Sequence, residues 1–409
     1  LDALLAVARG GAPVGRLGRV SGRVAIGADD AGGLAFDLLA IARGARVAAV
    51  VEDETGERRE LGAPTDVELA ASGSLVPAWH RVQLACFRLE SSGVSMKGDG
   101  AVEEGADDVW ADIGIDVPRF ELAPVVAASG LRLDLEDAPL PSDLGSATLT
   151  AELSGHLLDP DSIRVEQKLV FHRPAGGVPA LAYLNGPFTH VVELEERDVK
   201  IEVRPGAPDY VALEDVPPLF LRALTISEDA AFWGHPGVDL SEIPIALATN
   251  WKRGERARGG STITQQLVKN LFLSRRKSYG RKLQEAALAL LVESAVPKRR
   301  ILEIYLNVIE WGPGLYGLRP AARHYFGKEP RDLTPKETAF LVSIIPGPIK
   351  YQRSFAGGAL SPRFAPLVTG VLAKLRSVDA ISDEEYEKAL AEPLDFAFTR
   401  PEGPPFEPD

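Results

Sequence analysis

The sequence predicts an α+β chain of more than one domain, with a β-rich first part and a mostly α-helical second part. Three observations carry this. At 409 residues and 45% hydrophobic content the chain is long enough for two or three domains, each with its own core. Up to about residue 205, short alternating or apolar stretches are broken by Gly, Asp and Pro turns. Beyond "RPGAPDYVALEDVPP", residues 204–218, apolar residues recur at helical spacing instead. The predicted domains are therefore 1–205 and 206–400.

In the first part, "GRVSGRVAIG", "ARVAAVVED", "RVQLACFRLESSGVSMKG", "ATLTAELSGHL" and "SIRVEQKLVFH" read as strands. "LAFDLLAIARG", 34–44, reads as a short helix closed by Gly44. In the second part Pro217–Pro218 suit the first turn of a helix that runs through "LFLRALTISEDAAF". "SEIPIALATNWKRG", "STITQQLVKNLFL", "SYGRKLQEAALALLVESAV", "PKRRILEIYLNVIEW", "PKETAFLVSII", "PRFAPLVTGVLAKLRS" and "SDEEYEKALAE" follow as helices.

Charge is unevenly spread. Residues 1–200 hold 18 Lys and Arg against 32 Asp and Glu, and residues 201–409 hold 27 against 26. Within 252–300 there are 13 basic residues and 3 acidic ones, which points to an anionic ligand or surface. The acidic first half argues against nucleic acid as a partner. The single cysteine, Cys86, allows no internal disulfide and no thiolate metal cluster, and the six histidines lack metal-ligand spacing. No apolar run approaches the ~18–20 residues needed to span a bilayer. The first residue is Leu, and an anchor is expected upstream of it.

Three stretches carry candidate chemistry. "ISEDAAFWGHPGVD", 226–239, sets Glu228 and Asp229 near a helix end, where the dipole disfavours a carboxylate. Phe232 and Trp233 can supply a low-dielectric wall, the setting that raises a glutamate's pKa for acid or base work. An acidic helix end with His235 in a structural hydrogen bond explains the same residues. "ARGGSTITQQLVKN", 257–270, places two glycines before a helix capped by Ser261, a ready anion site, with Gln265 and Lys269 sharing a face. A capped helix with a solvated lysine is the plain alternative. In "RKLQEAALALLVE", 281–293, Arg281 and Glu285 are spaced to pair, with Lys282 beside them. That pattern suits a surface ion pair contributing under ~1 kcal/mol, or a cluster that holds phosphate oxygens. Each stretch leaves both readings open. Together, in one short window, they suggest a base beside a polyanion cradle.

"EDAAFWGHPGVD", "GGSTITQQLVKN", "RKLQEAALALLVE", "RRILEIYLNVIEWGPGLYGLRPAARHYFGK" and "ETAFLVSIIPGP" resemble, in order, the five motifs of the peptidoglycan glycosyltransferases (glycosyltransferase family 51) and the helix after them. The resemblance runs from about 210 to 390. Trp311-Gly312-Pro313-Gly314, and the lack of a following transpeptidase domain, make the chain more similar to monofunctional members. "SRRK", 274–277, fits S-x-x-K but has no partner motif after it.

The resemblance implies a lysozyme-like helical domain that polymerises lipid II into β-1,4-linked glycan and releases undecaprenyl pyrophosphate. It makes Glu228 the general base and Asp229 its acidic neighbour, with Phe232 and His235 shaping that motif. Glu285 becomes the second carboxylate, supporting pyrophosphate or a Mg or Mn ion. Ser261, Thr262, Gln265, Gln266, Lys269, Arg281 and Lys282 become the donor-site cluster. Tyr305 and Asn307 fall in a motif whose role looks structural. No organic cofactor is implied. Lipid II, lipid-linked glycan and a membrane surface are the implied partners, at the periplasmic face of the inner membrane in the cell envelope. "DLSEIPIALATNWKRG" fits either a segment touching that membrane or a plain packed helix. The first half loosely resembles the β-modules of AsmA-like envelope proteins and reads as a scaffolding domain through which other cell-wall synthesis proteins bind. The rival readings are a lysozyme-like enzyme that cleaves finished glycan and an inactive scaffold.

Overall fold

The computed structural model describes residues 19–28, 33–45, 49–52, 58–61, 65–76, 80–105, 108–129, 142–157, 159, 161–194, 197–241, 260–273 and 279–397. Along the chain come β1 (Arg19–Ala28), β2 (Leu34–Ala45), β3 (Ala49–Glu52), β4 (Arg58–Leu61), β5 (Thr65–Val76), β6 (Arg81–Ser91), β7 (Val94–Glu104) and β8 (Val109–Glu121). Then follow α1 (Leu122–Ser129), β9 (Ser146–His156), β10 (Arg164–His172), β11 (Phe188–Glu193) and β12 (Asp198–Val203). The rest is α2 (Pro218–Glu228), α3 (Ile263–Phe272), α4 (Tyr279–Ala295), α5 (Lys298–Val308), β13 (Glu310–Gly312), β14 (Leu315–Tyr316), α6 (Leu318–Phe326), α7 (Pro335–Ile344), α8 (Ala365–Ser377) and α9 (Asp383–Ala391). The β-rich and helical regions expected from the sequence are both present.

The chain forms two compact units that interleave in sequence. One comprises 1–180, 235–261 and 272–295; the other comprises 181–234, 262–271 and 296–409. In the first, eight antiparallel strands run in the order β1-β2-β5-β6-β7-β8-β9-β10. Side chains alternate between the two faces of a strand, and the register sorts them by polarity. Lys97, Asp116, Thr150 and Lys168 line up across β7 to β10, while the next row is Gly98, Ile115, Ala151 and Gln167. A cavity of about 640 Å³ opens beside Lys97, Asp116, Glu152 and Lys168. Residues 34–44, expected as a helix, are instead strand β2. It pairs with β1 on one side and β5 on the other, through Ala25↔Asp37 and Asp37↔Ser72. Ladders on both edges outweigh the local helical pattern.

Helix α1 packs on α4, whose segment Gln284–Val292 is buried except Ala286. The "HPG" turn meets the same helix: a Cβ at Gly237, whose φ is +107°, would lie 2.7 Å from the Ala289 carbonyl oxygen. Only glycine fits that approach.

The second unit is built around aromatic side chains. Phe340 lies 5.3 Å from Tyr325, 4.9 Å from Phe355 and 5.1 Å from Phe396, centroid to centroid. Helix α7 opens with a capping box in which Thr334 and Glu337 satisfy each other's backbone N–H groups, and Pro335 sits in its first turn. Ser382 and Glu385 repeat the device on α9. Helix α6, not among the expected helices, is bracketed by Gly317 and a left-handed Gly327. Its Pro320 sits within the first turn, where a missing N–H costs nothing. The helix expected over 241–254 lies, from residue 242 on, outside the described residues.

Candidate active site

In the helical unit, α2 ends at Glu228, and the chain turns at Asp229, whose backbone leaves helical geometry. Glu228 is partly buried, and a carboxylate oxygen accepts a 2.9 Å hydrogen bond from the Gln266 side-chain amide. The other end of that amide, its Oε1, accepts a 2.8 Å bond from the Tyr305 hydroxyl. Tyr305 is fully buried. Burial pushes the Glu228 carboxyl above the ordinary carboxylate range. The Gln266 bond and the positive charge of Lys374 pull the other way, Asp229 adds to the rise, and Lys269 opposes it. Burial also lifts Tyr305 well above the usual phenol range, with Glu228 and Asp229 adding to it. Its hydroxyl therefore remains a donor at neutral pH.

Asp229 is buried and accepts a 2.8 Å bond from the Ile263 N–H at the first turn of α3. A carboxylate at a helix N-terminus is favourably placed. Thr262 caps this helix: its hydroxyl accepts from the Gln265 N–H at 3.1 Å, while the Gln265 side chain accepts from the Thr262 N–H at 3.0 Å. The expected cap was Ser261, one residue earlier. The helix begins at Ile263, so the residue before it, Thr262, holds the capping position. Phe232 is fully buried under the Lys298 ammonium, 4.4 Å from its ring centroid. Asn307, also buried, ties α5 to Val211 by bonds of 2.9 and 2.8 Å. That is the structural role expected of it.

In the sheet unit, Glu285 on α4 is 1% exposed and accepts from the Lys282 ammonium at 2.6 Å. The same ammonium donates to the Ser261 hydroxyl at 2.7 Å. The sequence pairs Glu285 with Arg281, four residues away; the partner found is Lys282, three away, and the Arg281 side chain lies outside the described residues. His235 is buried, and its Nδ1 accepts from the Gly237 N–H at 3.0 Å, which fixes the turn. Sequence reasoning missed Asp239, a buried carboxylate that accepts from the Gln167 amide of β10 and from the Ser241 N–H at 2.9 Å. Its partner is 72 residues away, and nothing in the local pattern signals that pairing. Lys374, whose charge acts on Glu228, and Tyr351, which feels the charge of Glu228, were missed too, and lie beyond the recognisable motifs. Among the described residues no three His, Cys, Asp or Glu side chains converge as a metal site. Nor is any described helix long and apolar enough to cross a membrane.

Residues 199–364 match the family model described as Transglycosylase. The biosynthetic peptidoglycan transglycosylase of Nitrosomonas eutropha is 46% identical over 166 residues, 41% of this chain and 66% of that one. That of an Azoarcus species is 47% identical over 146 residues, covering 36% and 63%. That of Dechloromonas aromatica is 39% identical over 188 residues, covering 46% and 80%. The chain thus spans just under two thirds of the first two relatives and four fifths of the third. At 39% identity over four fifths of that third relative, the chain belongs to the biosynthetic peptidoglycan transglycosylases.

Proposed function

We propose that the protein polymerises lipid II into β-1,4-linked glycan strands, with inversion at the donor's anomeric carbon and release of undecaprenyl pyrophosphate. The observation that carries this reading is Glu228 itself: a desolvated carboxylate with a raised pKa and one oxygen held by Gln266. A base poised in that way accepts a proton from a sugar hydroxyl more readily than an ordinary surface glutamate. The acceptor's 4-hydroxyl gives its proton to Glu228 as its oxygen bonds to the anomeric carbon. The bond from that carbon to the pyrophosphate oxygen breaks, and its electrons leave with the phosphate.

Such a leaving group is a stable polyanion, so its departure calls for cations and N–H or O–H donors rather than a strong acid. Lys282, held between Ser261 and Glu285, is suited to that task, and the family resemblance implies a share in it for Lys269, Gln265, Thr262 and Arg281. Glu285 is the residue that would hold a Mg or Mn ion, which would supply further positive charge for the departing pyrophosphate. A lysozyme-like arrangement of the helical unit and a site of action at the periplasmic face of the membrane belong to the same reading. Residues 1–205 are assigned to scaffolding.

The test gives the purified protein lipid II in one reaction and finished peptidoglycan in another. Strands growing from lipid II, with no soluble fragments released from finished peptidoglycan, are expected. Fragments without polymer would support glycan cleavage instead, and neither product would support an inactive scaffold.

A further inference from the structure

We infer that Tyr305 is a positioning residue for Glu228, acting through the side chain of Gln266. The inference rests on Glu228 being the base. Tyr305 comes from α5, Gln266 from α3 and Glu228 from the end of α2, and their polar atoms form an unbroken line. The tyrosine hydroxyl donates to the glutamine carbonyl oxygen at 2.8 Å, and the glutamine amide donates to the glutamate carboxylate at 2.9 Å.

The direction of each bond is fixed by chemistry. An ionised carboxylate only accepts, so the Gln266 NH₂ must face Glu228 and its carbonyl oxygen must face Tyr305. A side-chain amide can turn over and present either end. What opposes this here, together with the carboxylate, is the buried tyrosine, which stays protonated and has a proton to give. A flipped amide would set its carbonyl oxygen against the carboxylate and would leave the tyrosine proton without its acceptor, even though the phenol oxygen can accept from the NH₂. Tyr305 thus holds the donor that steadies the ionised form and the rotamer of Glu228. The groups that also set the charge balance at Glu228 are Asp229 beside it, Lys269 on α3 and Lys374 on α8. Tyr351 also feels its charge.

The sign of the effect follows. Gln266 lowers the pKa of Glu228 against the larger effect of burial, so loosening Gln266 raises that pKa further. The base works ionised, so its activity is then lost at a higher pH on the acid side.

The test measures kcat and KM for lipid II against pH in wild type, Tyr305→Phe, Gln266→Leu and the double variant, with Glu228→Gln as a control. Tyr305→Phe keeps the ring and the packing. Its kcat is expected to fall about tenfold with KM held within about twofold, and the acid limb to move to higher pH. Gln266→Leu is expected to move the limb the same way, and the double variant to add nothing further. A purely structural tyrosine would lower thermal stability, leave the limb in place and give additive losses, and that result overturns the inference. If Tyr305→Phe does not fold, Gln266→Leu decides: an unmoved limb overturns the relay. An inactive wild type or an active Glu228→Gln would overturn the assignment of the base instead. An active wild type, a dead Glu228→Gln and unmoved limbs would overturn the relay alone.

Discussion

In the helical unit Trp311, Tyr305, Tyr325, Phe220, Phe232, Phe340, Phe355 and Phe364 are all buried to under 2% exposure. In the sheet unit every described residue of β1 is exposed, with Val20, Val24 and Ile26 at 58%, 63% and 68%. The two regions are of similar hydrophobic make-up but bury it differently. Packed helices exclude water from all sides of a side chain, whereas a strand of an open sheet keeps one face or one edge wet. The difference bears on chemistry. Desolvation is the main cause of the raised pKa of Glu228, and Glu228 lies in the aromatic-rich unit. The chemical cluster of the other unit, Glu285 with Lys282, sits on α4 in its most deeply buried segment.

The contrast can be broken first by stability. Phe340→Ala removes a ring shared by at least five aromatic neighbours, Tyr325, Phe326, Phe355, Phe364 and Phe396, and should cost about 3–5 kcal/mol in chemical denaturation. A loss of that unit's cooperative unfolding would accompany it. Glu228→Gln sharpens the contrast from the other side. A carboxyl whose pKa is raised on folding stabilises the fold while protonated and loses that stability as pH rises through the folded value. At neutral pH the ionised Glu228 therefore costs stability, and the neutral, isosteric glutamine should raise Tm by about 2–4 °C for each kcal/mol relieved. The same substitution at pH 4 should change Tm less. The smallest effect belongs to the sheet edge: Val24→Ser should shift stability by no more than about 0.5 kcal/mol. Equal losses from Phe340→Ala and Val24→Ser would remove the distinction between the regions.

Much of the helical unit is legible in the sequence because its signals are local. Pro217–Pro218, Pro297 and Thr334-Pro335 mark helix starts, and apolar spacing carries each helix onward. The strands were legible wherever alternation was clean. β2 was not, because Leu38, Leu39 and Ile41 mimic helical spacing and its ladders come from residues up to 41 positions away. Of the site, Glu228, Gln266 and Glu285 stood out through motif context. The Tyr305–Gln266 bond and the Asp239–Gln167 bond join residues 39 and 72 positions apart, and no spacing rule reaches that far. The misplaced cap is a smaller case of the same kind: Ser261 and Thr262 are both good caps, and only the exact first turn of α3 chooses between them.

The central claim is that a desolvated Glu228 is the base of strand synthesis. The measurement that meets it most directly is the rate of glycan-strand formation from lipid II by Glu228→Gln, with Tm recorded on the same preparation. A rate lowered by about 10³-fold or more in a protein whose Tm is unchanged or raised is the predicted result. Strand formation near the wild-type rate by that folded variant would contradict it.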